Sequence, residues 1–103
     1  MDKLIVEFIL RDMGANGCLK GFWLTIHAVL FCMEGKTPGE SIRCAAAEMG
    51  ILPPLARSRI GNMIGYMEKS KTEEYAAVCI GGRKPTPNEL IGLLAQRIKE
   101  RKK

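Results

Sequence analysis

Arg57, Ser58, Arg59 and Asn62 fall within one six-residue stretch of the chain. A guanidinium fork matches the O6 and N7 acceptors of guanine, and a carboxamide matches N6 and N7 of adenine. The chemistry such a set suits is recognition of base edges in a DNA major groove. Arg57 fits guanine, Asn62 fits adenine, and Ser58 is a third base-edge candidate. Arg59 stands beside apolar residues and suits a phosphate instead. Lys36, Lys69, Lys71 and Lys84 are further candidates for the DNA backbone, or are plain solvated lysines. Gly61 and Gly65 share the same stretch of chain. Each costs about 1 kcal/mol against alanine in a helix interior. Set four apart, they flatten one face for close approach of a DNA backbone, of another helix, or of the molecule's own core.

These residues need a helix that presents them, and the local sequence predicts one. Thr37-Pro38-Gly39-Glu40 reads as a helix start, with Thr37 as cap, Pro38 in the first turn and Glu40 three residues after the cap. Ile42, Ala45, Ala46 and Met49 form its inner stripe. Gly50 permits a sharp turn, and Pro53-Pro54 open a second helix where no N–H donors are needed. Ala56, Ile60, Met63, Ile64 and Met67 face inward on that helix, with the polar set opposite. The order over about 37–69 reads as helix-turn-helix, whose second helix reads DNA from its N-terminal end. The spacing agrees at Ala46, four before Gly50, and at Ala56, six after it. The position nine after Gly50 should be apolar but holds Arg59, with Ile60 beside it.

Four more helices are predicted around this pair. Leu4, Ile5, Phe8, Ile9 and Met13 recur at helical spacing over 2–13. Residues 20–33 are apolar on almost every side, as a central core helix should be. His27 within them is read as a satisfied core histidine. A short helix follows over 73–79, with Thr72 as cap. The basic linker Arg83-Lys84-Pro85 leads to Thr86-Pro87-Asn88-Glu89, which repeats the capping pattern of Thr37 to Glu40. The last helix runs to about Glu100, with Leu90, Ile91, Leu94 and Ile98 inward. The expected fold is all-α, a single compact domain of five or six short helices over 1–103.

Net charge is +5, yet residues 1–82 hold nine basic and nine acidic residues. The excess lies in residues 83–103, mostly in a basic tail over 97–103. That tail is either a phosphate-contacting segment or a solvated helix end. The cysteines, Cys18, Cys32, Cys44 and Cys79, show no closely spaced ligand pairs, so no metal is expected. No cofactor is implied either. Residues 4–10 are too short for a signal peptide and are interrupted by Glu7, and residues 22–33 are about half a membrane span. The expectation is a cytoplasmic protein, away from membranes, with reduced and mostly buried thiols.

At three places the chain resembles the C-terminal effector domain of the sporulation response regulator family. Leu19-Lys20-Gly21-Phe22-Trp23-Leu24 is similar to that family's apolar-Lys-Gly-aromatic opening of its second helix. Residues 46–64 align without a gap to its helix-turn-helix, with Met49 where the family has Phe and Arg59-Ile60 where it has Ala-Ile. Residues 84–91, Lys-Pro-Thr-Pro-Asn-Glu-Leu-Ile, are similar to the start of its last helix. The resemblance covers about residues 10–100. It implies a bacterial all-helical domain that binds duplex DNA and regulates transcription. Leu55 and Gly61 stand where the family has Arg, Arg57 where it has Glu, Ser58 where it has Arg and Asn62 where it has His, so the DNA site should differ. The first helix is expected to start almost at Met1, so the family's receiver domain has no counterpart in these residues, and the chain is read either as a piece of a longer protein or as a stand-alone effector without phosphorylation control.

Duplex DNA, bound by copies paired on repeated half-sites, is therefore the expected partner. The alternative is a protein-interaction module of the same fold that has lost DNA binding. The neutral first 82 residues, the missing arginines and the Gly61/Gly65 face favour that alternative. No nucleophile–base pair, metal cluster or phosphate loop appears in the sequence, and no enzymatic activity is expected.

Overall fold

In the computed structural model, which describes residues 2–79 and 81–101, six helices form where the start and stop signals stand. They are α1 (Asp2–Asp12), α2 (Lys20–Met33), α3 (Pro38–Glu48), α4 (Pro53–Ser70), α5 (Glu73–Ala76) and α6 (Pro87–Arg101). No strand joins them among the described residues.

The helix ends follow from local chemistry. Thr37 Oγ1 accepts from the Glu40 N–H at 3.2 Å and donates to the Glu40 carboxylate at 3.0 Å. Thr86 and Glu89 close a reciprocal box: the Glu89 N–H donates to Thr86 Oγ1, and the Thr86 N–H donates to Glu89 Oε1 at 2.9 Å. Glycines with positive φ end three helices. At α3, Gly50 (φ +69°) lets the Ile51 N–H reach the Ala46 carbonyl and its own N–H reach Ala47. Gly14 and Gly35 make the same paired bonds after α1 and α2.

α2 is the hub, packing against α1, α3, α4 and α6. Phe22, Leu24, Ile26, Ala28 and Val29 are fully buried there. Its first turn crosses α4 backbone against backbone. A Cβ at Gly21 would lie 2.8 Å from the Arg59 carbonyl carbon and 3.0 Å from Ile60 Cα, so only glycine fits this crossing. Buried Thr25 donates to the Gly21 carbonyl at 2.7 Å, and buried Ser41 donates to Thr37 O at 2.8 Å. Neither hydroxyl is left unpaired. Tyr75 anchors α5 by donating to Glu68 at 2.6 Å. Burial first, and then that hydrogen bond, push its hydroxyl pKa up. The Cα radius of gyration, 12.3 Å, is that of a single packed domain of this length.

Several expectations are corrected. The inward face of α1 is Val6, Ile9 and Leu10, with Met13 buried just beyond its end, while Leu4 and Phe8 are exposed. α1 carries apolar residues on two faces, and its neighbours α2, α5 and α6 leave Leu4 and Phe8 uncovered. Met49 is exposed because α3 has already ended and Met49 is its C-cap. No cysteine is fully buried: Cys18 is exposed and the other three are partly covered, all as free thiols. His27 is not in the core; it is half-buried and meets Glu48 at 3.1 Å, tying α2 to the end of α3. Of the two readings of the basic C-terminal segment, residues 97–101 take the helix-end form, as the last turn of α6 with Ile98 fully buried. Lys102 and Lys103 lie outside the described residues. No described helix is long and apolar enough to cross a membrane.

Candidate nucleic-acid interface

α4 buries one stripe and presents the other. Ala56, Ile60, Met63, Ile64 and Met67 are buried, as the 3.6-residue period predicts. Leu55, Ser58, Asn62, Tyr66 and Lys69 form the exposed stripe opposite. From residue 53 to residue 67 the helix carries Arg57 and Arg59 and no carboxylate. Ser58 and Asn62 are therefore presented to solvent on a ridge that is uncharged up to Lys69, with an arginine on either side.

The two arginines diverge. Arg57 turns toward the start of α6, where its Nη1 donates to Asn88 Oδ1 at 2.6 Å. Its other donors stay available, since a guanidinium carries five N–H groups. Gly39, in the first turn of α3, lies against the same pair: a Cβ there would be 3.6 Å from Arg57 Nη2 and 3.8 Å from Asn88 Nδ2. The N-terminal ends of α3 and α6 thus converge on Arg57. Arg59 points the other way and lines a shallow cleft of about 320 Å³ with Lys20, Asn62 and Tyr66 at the start of α2.

Gly61 and Gly65 do not serve tight packing within the molecule. A Cβ at either would meet no atom within 4 Å. The close internal approach is made at Gly21, which sequence reasoning placed only within a family resemblance. Gly61 instead opens a groove of about 370 Å³ against residues 83–87, which includes Lys84. Arg83 beside it is not a free cation, because it forms a bidentate pair with Glu89 at 2.9 and 3.0 Å. That pair first, and then the Thr86 backbone N–H, hold the Glu89 carboxyl down from 4.5 to about 2.

The candidate phosphate contacts separate into groups. Lys84 flanks the Gly61 groove, and Lys36 precedes Thr37, the N-cap of α3, and lies 6.0 Å above the Phe31 ring. Lys69 and Lys71 sit at the far end of α4, ~20 Å from Arg57 at helical rise. Lys71 is the C-cap there, in the left-handed conformation at φ +50°. Asn88 went unnoticed as a site residue because only its place in a capping pattern showed in the sequence. Leu52 and Tyr66 were also missed, since nothing in a period marks which apolar residues stay uncovered. No family model, curated protein or solved structure matches the chain.

Proposed function

We propose that the chain is a sequence-specific duplex DNA-binding regulator of transcription that acts in the bacterial cytoplasm. In this reading α3, the turn and α4 work as a helix-turn-helix, like the effector domain of the sporulation response regulator family that the sequence resembles. α4 enters the major groove, Ser58 and Asn62 meet base edges, and Arg57 reaches guanine from its seat on Asn88. Lys84, Lys36 and the N-terminal ends of α3 and α6 line the phosphate side, where helix N-termini favour anions. One observation carries the reading. The outer stripe of α4 holds no carboxylate before Glu68, and Arg57 stands at its edge where two helix starts converge.

The test is enrichment of the purified chain's ligands from a random duplex pool at near-physiological salt. A recovered motif, repeated at about one helical turn if copies pair, supports the reading. Recovery without a motif reduces it to non-specific binding. No recovery turns the case to the second reading, a protein-interaction module. That reading is favoured by a different face: Leu4 and Phe8 on the outside of α1 are 50 % and 60 % exposed.

A further inference from the structure

The start of α4 lacks the threonine cap found at α3, α5 and α6, a lack it shares with α2, which begins on Leu19. α3 and α6 begin on threonines whose hydroxyls accept a backbone N–H. α4 begins on Leu52, which supplies no side-chain oxygen and makes no cap hydrogen bond. Polar caps are strongly preferred at that position. Pro53 and Pro54 follow and have no N–H to offer, so of residues 53–55 only Leu55 keeps a backbone donor. The features that let a helix start hold an anion are stripped away here. What stands there instead is apolar. Leu52 is 74 % exposed, and Leu55, one turn on, is 43 % exposed.

In a major groove, one base-edge group is apolar, the 5-methyl of thymine. The surroundings of the tip suit a polyanionic duplex, because α4 carries two arginines and no carboxylate up to residue 67. Ser58 and Asn62 continue the same stripe beyond Leu55. We propose that Leu52 and Leu55 read thymine methyl groups, so that the chain requires thymine at the base pairs facing the tip of α4. The inference rests on α4 entering the major groove, as proposed above.

The test uses the full chain and the duplex recovered by selection, with each thymidine replaced in turn by deoxyuridine. That replacement keeps base pairing and removes only the methyl. At one or two positions the affinity is expected to fall about fourfold, as loss of one buried methyl implies. Leu52→Ala or Leu55→Ala is expected to erase that difference while leaving helical content unchanged, since both side chains are exposed. Equal binding of every thymidine and deoxyuridine duplex overturns the inference and leaves the DNA reading standing. A penalty that persists in both alanine variants also overturns it. Failure to bind any duplex overturns the inference and the DNA reading together, and capture of a protein through Leu52 and Leu55 would then assign the tip to that partner.

Discussion

At the scale of single residues, Arg57 is defined by what holds it. A long side chain on a helix surface samples many rotamers, and ordering it for recognition costs entropy. The 2.6 Å bond to Asn88 fixes one arm of the guanidinium before any ligand arrives. Arg57→Ala is expected to cost about 1–3 kcal/mol in DNA affinity and to relax preference at one base pair, measured by repeating the selection with the variant. Asn88→Ala should relax the same position with a smaller loss, because the arginine is kept but its seat is gone. An unchanged motif in both variants would remove Arg57 from the set of base readers.

At the scale of elements, the glycines separate structure from recognition. Gly21→Ala should destabilise the fold by about 1–3 kcal/mol, as overpacking does, because its Cβ would meet the backbone of α4. Gly61→Ala should stabilise it by about 0.5–1 kcal/mol, since the site is open and alanine is the better helix former. Denaturant titration reads both, and a loss of DNA binding in the more stable Gly61→Ala would mark its face as a contact surface. The start of α6 has a pH signature. With Glu89 held at about 2 instead of 4.5, its contribution is full above 4.5 and is lost as pH falls through about 2. A carboxyl NMR titration should place Glu89 near that lower value, and Arg83→Ala should move its midpoint up. Helix starts were legible in sequence because Thr-Pro-x-Glu acts within four residues. The buried stripe of α4 was legible because its apolar residues have a single period. The face of α1 was not, since two apolar stripes compete and only the neighbours choose. Nor was the Arg57–Asn88 contact, which joins residues 31 apart.

At the scale of the whole molecule, positive charge is distributed by α6. Its first turn stands beside Arg57, and its last turn carries Lys99 and Arg101, ~20 Å away along the helix. Removing residues 101–103 should weaken DNA binding evenly across sequences and flatten its dependence on salt, read as the slope of log affinity against log salt. An unchanged slope would make those residues bystanders. The bundle around α2 has another consequence, set by the seam at Gly21. There α4 is seated by backbone atoms of Arg59 and Ile60, and its buried stripe completes the seat. Nothing in that seat depends on the identity of the side chains at 55, 58, 61 and 62. Those four positions form an alphabet that mutation can rewrite while the scaffold stays the same. Related chains built on this seam could diverge quickly in what they recognise and slowly in how they fold.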